Sequence, residues 1–410
     1  MSDVSGFFLP SGFRYGAVRA GLKASGRPDF AVIVADEAAS AAAMFTANRV
    51  SAAPLQVDKE HLAATGGRVR VVAINAGNAN CAAGQAGLDA AYATCRAAAA
   101  VFGCAVEEVF PSSTGIIGVP LPWEKLAAAM PGLAAELGAE SDHFQQVAEA
   151  ILTTDLVEKT AFARVVIDGR EVRIAGVGKG SGMIHPRLVA PAALHATMLV
   201  YIMTDARVEP AVLQGMLGRA VEVSFNRISV DGDTSTNDTV LLLASGVSGA
   251  VVEAGNQEFE AALGQVATSL ARQVVADGEG AQHVVELQIN GAVSDAEAVR
   301  VAKAIAHSPL VKTAWAGCDP NWGRLMAAIG NSGAAIDPER IDIWFGEQRI
   351  CRDGGRAAEF AGEAVTAAHA YLQQPEYSIR IELNQGAGSC VFWTTDLTAE
   401  YVSINADYST

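Results

Sequence analysis

The sequence predicts a layered α/β fold, and three observations lead to this prediction. Short runs of β-branched residues alternate with alanine-rich or helically periodic segments along the whole chain, a pattern typical of sheets covered by helices. The composition is 50% hydrophobic and 18% charged, as in globular enzymes. At 410 residues the chain is too long for one ordinary core, so two or three domains or layers are expected.

Strands are predicted where short apolar runs occur, namely at 30–36, 69–75, 198–203, 239–245 and 283–290. Hairpins are predicted at 161–180, where Asp168–Gly169 joins two alternating runs, and at 341–351. The alternation in YVSIN at 401–405 predicts that the end of the chain packs as a strand. These patterns do not determine the order of the strands within a sheet.

Helices are predicted where alanine-rich or helically periodic segments lack strand signals. They are expected at 87–103, at roughly 123–152 with an interruption at Pro131, at 257–276 and at 295–308. Because these segments alternate with the strands, helices are expected to cover the sheets.

The net charge of −16 argues against nucleic acid and against anionic membranes as partners, because both require a basic surface. We find no apolar run long enough for a membrane span and no secretory signal. The six cysteines form no CxxC pair, so buried free thiols in a reducing compartment are expected. The absence of membrane and secretory signals and the expected free thiols together predict a cytoplasmic location. The spacing of the histidines does not suit a metal site.

Thr197 is the first candidate for chemistry. It follows the glycine-rich segment KGSGMIHP at 179–186 and precedes the apolar run at 198–203. A threonine at the start of a strand is usually an ordinary strand residue. Here its hydroxyl could attack the carbonyl of Ala196, and water would then open the resulting ester. The new N-terminus would carry both a nucleophile and an α-amine base with a pKa of about 8.

Three polar positions have competing interpretations. SSTGIIG at 112–118 could direct backbone N–H groups at an oxyanion, although an ordinary turn is favoured by its local sequence. Lys179 could be a surface charge or could bind a carboxylate. Glu279 lies between glycines and is either solvated or in contact with a ligand amine.

Other motifs exclude some ligands or remain open. GVGKGSG at 176–182 is not a phosphate loop, because glycine rather than serine or threonine follows the lysine. The loop that starts at DGDTSTND (231–238) lacks the glycine at position six and has Leu242 where a calcium loop has glutamate. CDPNWGR at 318–324 is either a binding loop or a packed turn.

Taken together, the motifs resemble one family, the ornithine acetyltransferases or bifunctional glutamate N-acetyltransferases of arginine biosynthesis. The matching segments follow the family's order across nearly the whole chain: SSTG at 112–115, TTD at 153–155, KGSGM at 179–183, ATML at 196–199, TDA at 204–206, DTSTND at 233–238, DGEG at 277–280, CDPNWGR at 318–324 and INADYST at 404–410.

The resemblance implies a layered, mixed-sheet, two-domain α/β fold of the self-processing N-terminal-nucleophile type. It implies cleavage between Ala196 and Thr197 into an α chain, 1–196, and a β chain, 197–410, that assemble as an α2β2 heterotetramer. It implies Thr197 as nucleophile and Thr114 and Gly115 as the oxyanion hole. The implied substrate-binding residues are Thr154, Lys179, Thr197, Glu279, Asn405 and Thr410.

The implied reaction transfers acetyl from N-acetylornithine to glutamate through acetyl-threonine, with acetyl-CoA as a further donor in some members and with no metal or resident cofactor. Compared with the family, RLVAPAALH at 187–195 lengthens the segment before the scissile bond. Two alternatives remain open. One is a related N-terminal-nucleophile amidase or aminopeptidase, in which water resolves the acyl-enzyme, and the other is an uncleaved binding protein.

Overall fold

The computed structural model describes residues 7–190 and 198–407, apart from the side chains of Thr46 and Asp407. Its strands are β1 (Phe13–Val18), β2 (Phe30–Thr46), β3 (Arg68–Asn78), β4 (Val109–Ile116), β5 (Lys159–Ile167), β6 (Arg170–Lys179), β7 (Leu188–Val189), β8 (Leu199–Thr204), β9 (Ile228–Ser229), β10 (Thr239–Ala244), β11 (Val284–Ala292), β12 (Asp342–Phe345), β13 (Gln348–Arg352), β14 (Gly355–Arg356), β15 (Glu376–Glu382) and β16 (Gly388–Thr395).

The helices of the same residues are α1 (Ala53–Thr65), α2 (Gly84–Phe102), α3 (Trp123–Ala135), α4 (Ser141–Ala150), α5 (Pro210–Glu222), α6 (Gln257–Ala276), α7 (Asp295–Ala306), α8 (Pro309–Ala316), α9 (Trp322–Gly330), α10 (Glu363–Leu372) and α11 (Ala399–Asp407). None of these helices is both long enough and apolar enough to cross a membrane.

Two mixed sheets organise the described part of the chain. The first has nine strands, with the order β4-β3-β2-β10-β8-β6-β5 and with β1 and β7 also paired to β2. The second has seven strands, in the order β14-β13-β12-β15-β11-β16-β9. Both contain parallel and antiparallel pairs, so the prediction of a layered, mixed-sheet α/β fold is confirmed.

The centre of the first sheet is buried on both faces, which explains why β8 and β10 read as continuous apolar runs. In β8, Leu199 and Tyr201 pack into a core with α1 and α4, whereas Val200 and Ile202 pack into a separate core with α5 and α6. A strand whose alternate side chains enter two cores needs no polar face. The sequence of β8 follows directly from this position.

The second sheet has its own core, and α6 lies between the two layers. Strands β11, β12 and β15 pack with α7, α8, α9 and α10 in one cluster. Trp393 of β16 instead joins the core around α6, which also covers β5 and β6. The two sheets are therefore linked through α6, and the loop that follows α6 at 277–280 lies close to both layers.

Both predicted hairpins are confirmed. Asp168 and Gly169 have φ values of 50° and 76°, which suit the two-residue turn between β5 and β6. The second hairpin is β12–β13. The strands predicted at 30–36, 69–75, 198–203, 239–245 and 283–290 and the helices predicted at 87–103, 257–276 and 295–308 are also present, although β2 continues to Thr46.

Two predictions about secondary structure are wrong. Residues 401–405 belong to helix α11, where Asn405 Nδ2 donates to the carbonyl of Tyr401 one turn earlier. The helical stretch is not interrupted at Pro131, which lies inside α3. The break comes later, because the backbone of Gly138 exchanges two hydrogen bonds with Tyr15 of β1 and so leaves the helix.

The cysteine prediction is only partly right, since all six thiols are free but Cys104 and Cys318 are half-buried. The predicted division into 1–196 and 197–410 stays a prediction. The sheets do not divide at this position, because β8 pairs with β6 from the first segment and with β10 from the second.

Candidate active site

A cavity opens at the edge of the first sheet where β4 and β6 end. Its walls also come from the loops after α4 and α6 and from α11. The lining residues are Ala79, Thr114, Gly115, Ile117, Thr153, Thr154, Lys179, Gly182, Met183, Asn237, Glu279 and Asn405. The structure thus brings together all the site residues that the sequence predicts within its described part. Ala196, Thr197 and Thr410 lie outside the described residues.

Thr114 and Gly115 form the end of β4, so this segment is not the turn that its local sequence favours. Thr114 is buried, and Gly115 has a φ of 131°. A Cβ atom on Gly115 would lie 2.3 Å from the carbonyl carbon of Gly77 on β3. Because only glycine fits this contact, the backbone can turn into the cavity directly after Thr114.

Lys179 ends β6 and is only 2% exposed, so its interpretation as a surface charge is wrong. Its Nζ donates to Thr153 Oγ1 at 2.7 Å and to Thr114 Oγ1 at 3.3 Å. It lies 3.6 Å from Asp155 Oδ2. Because the Thr114 hydroxyl accepts from an ammonium group, its own O–H remains available to donate to a group in the cavity.

A buried ion network supports the floor of the site. Lys159 is fully buried, and its Nζ donates to Asp155 Oδ1 at 2.8 Å and to Asp277 Oδ2 at 2.6 Å. Asp155 Oδ1 also accepts from the backbone N–H of Gly180 at 2.6 Å. Burial alone would raise the pKa of Asp155, but the ammonium groups of Lys179 and Lys159 hold it below its usual range.

This network joins the loops that carry two predicted substrate residues. Asp155 directly follows Thr154, and Asp277 lies two residues before Glu279. Since one ammonium group bridges the two carboxylates, the network sets the spacing of the loops across the cavity.

Glu279 faces the cavity and contacts the C-terminal helix. Its carboxylate accepts from Asn405 Nδ2 at 3.0 Å, and its backbone N–H donates to Ser181 O. Tyr401, one turn before Asn405, donates its hydroxyl to Asp231 at 3.3 Å. Helix α11 therefore holds Asn405 against Glu279, although it is not the strand that the sequence predicts.

Asn237 is a buried member of the site that sequence reasoning missed. Its Nδ2 donates to the carbonyls of Ala79 and Ser113 at 2.6 and 2.7 Å, which ties the segment before β10 to the ends of β3 and β4. The neighbouring Asp238 accepts from the backbone N–H of Met198. The signal was the polar run DTSTND immediately before an apolar strand. Its spacing excludes a calcium loop, and it supports the family resemblance, but no site residue was assigned to it.

Comparison with known proteins places the chain among its relatives. The model of the ArgJ family matches residues 14–410. The chain is 42% identical over 403 residues to the arginine biosynthesis bifunctional protein ArgJ of Geobacter sulfurreducens, with 97% of this chain and 99% of that protein covered. This chain belongs to the ArgJ family.

Two solved ArgJ-related structures are also similar to the chain. The arginine biosynthesis bifunctional protein argJ of Bacillus halodurans is 40% identical with a TM-score of 0.48, and covers 51% of this chain and 98% of its own. The ornithine acetyltransferase of Mycobacterium tuberculosis, complexed with ornithine, is 35% identical with a TM-score of 0.39, and covers 44% of this chain and 94% of its own. The family resemblance inferred from the motifs is confirmed by the ArgJ family match.

Gly182 also lines the cavity, and the sequence assigns it no role at the site. A Cβ atom there would lie 2.3 Å from the carboxylate carbon of Glu279. The absence of a side chain at Gly182 therefore leaves room for the Glu279 carboxylate.

Replacing Gly182 by alanine is expected to displace the Glu279 carboxylate without unfolding the protein. The carboxylate is the far end of a flexible side chain, so it moves more easily than the backbone. We expect KM for the amine-bearing substrate to rise about tenfold, as for a weakened charged hydrogen bond. Steady-state kinetics measures the change. Gly132→Ala, at a position with open space in α3, is the matched control. Equal KM values in the two variants would contradict the role of Glu279 in binding the substrate amine.

Proposed function

We propose that the chain is a glutamate N-acetyltransferase, or ornithine acetyltransferase, that regenerates ornithine in arginine biosynthesis. It moves acetyl from N-acetylornithine to glutamate through an acetyl ester on Thr197, and it also acetylates glutamate from acetyl-CoA. The observation that carries the proposal is the cavity that joins Lys179, Glu279 and the end of β4. These supply a cation for a carboxylate, an anion for an amine and a donor for an oxyanion.

In the first half of the proposed reaction, Thr197 Oγ attacks the acetyl carbonyl carbon of N-acetylornithine and its proton passes to the α-amine of the same residue. The negative charge that develops on the acetyl oxygen is stabilised by the Thr114 hydroxyl and by the backbone at Gly115. Lys179 supports this by donating to Thr114. The C–N bond then breaks, the departing nitrogen takes the proton, and ornithine leaves.

In the second half, the amine of glutamate attacks the acetyl-threonine ester and restores the threonine hydroxyl. Glu279 accepts hydrogen bonds from a substrate amine, and Asn405 contacts other polar atoms of the substrate. Lys179 attracts a substrate carboxylate. Closure of the cavity favours the amine over water as the attacking group. The resulting product is N-acetylglutamate.

Self-cleavage at Ala196–Thr197 makes the α-amine base available. The strand pairing supports association of the two pieces afterwards, because β6 from 1–196 pairs with β8 from 197–410, and β2 pairs with β10. We propose that the pieces stay together and assemble as an α2β2 heterotetramer.

The direct test is the intact mass under denaturing conditions, combined with an assay of ornithine release. We expect two pieces of 196 and 214 residues, the second beginning at Thr197, and release that requires glutamate. Thr197→Ala is expected to remain uncut and inactive. Native mass measures the assembly.

The outcomes separate the rival activities. Ornithine release without glutamate would identify an N-terminal-nucleophile hydrolase. A single uncut chain that binds N-acetylornithine but forms no acyl-enzyme would identify a binding protein. Full transfer activity in Thr197→Ala would overturn the proposal.

A further inference from the structure

A second and larger groove lies in the layer of the second sheet. It is formed by the C-terminal half of α7, the first turn of α8, and α9 with the two residues that follow it, and has a volume of about 910 Å³. It shares no lining residue with the candidate active site. Asn321, Gly323 and Arg324 of the segment CDPNWGR (318–324) form part of its wall. This motif therefore lines a groove as well as packing as a turn.

The groove is lined by Arg300, Lys303 and Arg324 and by no aspartate or glutamate. Arg324 Nη1 donates to the carbonyl of Leu310 at 2.7 Å, and Arg300 Nη1 lies 3.2 Å from Glu297 Oε1. Each guanidinium carries five N–H donors, so these contacts orient the groups without using all of their donors.

Lys303 adds a cation that is only partly compensated. Burial lowers the pKa of Lys303, and the positive charges of Arg187 and Arg227 lower it further, while Glu222 and Cys390 act in the opposite direction. His307, beside it in the groove, is neutral at pH 7, because burial and the charges of Lys312 and Lys303 lower its pKa to about 4. The fixed charge of the groove therefore comes from its lysine and arginines.

Helices α8 and α9 begin at this groove, and α7 and α9 also end at it, at His307 and Asn331. α8 starts at Pro309, capped by Ser308, and α9 starts at Trp322, capped by Asn321. The N-terminal ends of helices carry partial positive charge. Since the C-terminal ends carry the opposite partial charge, the helix ends oppose one another, and the positive charge of the groove comes from its three cationic side chains.

The contrast with other surface grooves shows that this charge is local. The groove beside α4 contains Asp36 and Glu140. The groove beside α6 contains Arg272 together with Glu376, which form an ion pair. On a chain with a net charge of −16, the described lining of this groove holds three cations and no carboxylate, although Arg300 pairs with Glu297 just beside it. This excess of positive charge favours the binding of an anion.

We propose that this groove binds a small phosphorylated organic metabolite. Its phosphate oxygens contact Arg300, Lys303 and Arg324, since guanidinium groups match phosphate geometry with two parallel hydrogen bonds. Its apolar part lies on the walls formed by Leu310, Ala304 and Ala327. The two cavities share no lining residue, so this site lies apart from the candidate active site.

Calorimetric titration of the purified full-length protein with ADP, inorganic pyrophosphate and adenosine tests the proposal. We expect saturable binding of ADP, weaker binding of pyrophosphate and none of adenosine. Arg300→Ala and Lys303→Met are each expected to weaken ADP binding about tenfold, as for loss of one charged hydrogen-bonding partner. Higher salt should also weaken it.

Arg272→Ala is the matched control, because it removes the same charge and one ion pair from the other groove. It should leave ADP binding unchanged, and thermal unfolding should show that all variants are folded. Equal loss of binding in the control, or no loss in both groove variants, would overturn the site. Equal affinity for ADP and pyrophosphate would overturn the organic part of the proposal. Ornithine release by Arg300→Ala is expected to match the unmodified protein, so failure here is distinct from failure of the acetyltransferase.

Discussion

Replacing Lys159 by methionine is expected to lower the free energy of unfolding by about 3–5 kcal/mol, the usual cost of removing one partner of a buried ion pair. The substitution leaves the carboxylates of Asp155 and Asp277 facing each other where water does not reach. Acetyl transfer should fall as well, because the loops that carry Thr154 and Glu279 lose their common anchor. Urea unfolding and steady-state kinetics measure the two effects.

A control and a rescue separate this network from a general effect of losing a lysine. Lys125→Met removes an exposed lysine that donates to Gly21 O, and should change stability by less than about 0.5 kcal/mol. Adding Asp277→Asn to Lys159→Met should restore part of the stability, because one uncompensated charge is removed. Equal stability of Lys159→Met and Lys125→Met would contradict the network.

The same network predicts a pH dependence. Lys179 and Lys159 hold the pKa of Asp155 below its usual range, so its stabilising contribution is fully present above the unfolded-state value of about 3.9. This contribution is lost as the pH falls through the lower, folded-state pKa. In Lys159→Met one of the two cations is gone, so the loss of stability on the acid side should be shallower than in the unmodified protein.

Replacing Thr114 by valine is expected to lower kcat by about 10²- to 10³-fold, the usual effect of removing one oxyanion donor. Valine keeps the shape of the side chain at the end of β4 but cannot donate to the acetyl oxygen. Lys179 keeps its 2.7 Å hydrogen bond to Thr153, so its position should change little. KM should stay within a few fold, since the lost interaction strengthens only in the transition state.

Thr94→Val is the matched control for the loss of a buried threonine hydroxyl. Thr94 is buried in α2 and donates to the carbonyl of Ala90 in its own helix, away from the cavity. It should cost about 1 kcal/mol of stability and leave kcat unchanged. If Thr114→Val retained more than half of the kcat of the unmodified protein, Thr114 would not be the oxyanion donor.

Local pattern and tertiary context contributed differently to the fold. Strands β8 and β10 were predictable because both their faces are buried, which requires an uninterrupted apolar sequence. Helix α11 was mispredicted because five residues are too few to distinguish the period of a strand from that of a helix. In the helix, Tyr401 and Ile404 are half-buried and lie three positions apart. Its helical state is stabilised by contacts with Glu279 and Asp231, which are distant in sequence.

The site shows the same division. Each motif could be recognised along the chain, and six of the predicted residues lie around one cavity. The bridging role of Lys159 could not be predicted, because it depends on Asp277, which is 118 residues away. The role of Gly182 depends on a carboxylate almost one hundred residues later, and no local signal marks it.

The sequence by itself determined the family, the α/β class and six of the residues that meet in the cavity. Motif order and strand periodicity are local properties, and they can be read without a structure. Only the tertiary structure decided that Lys179 is buried against Thr114, that two carboxylates share Lys159, and that a basic groove lies in the second layer. Burial and electrostatic pairing arise between segments that the chain separates, so they become visible only when the two sheets are assembled.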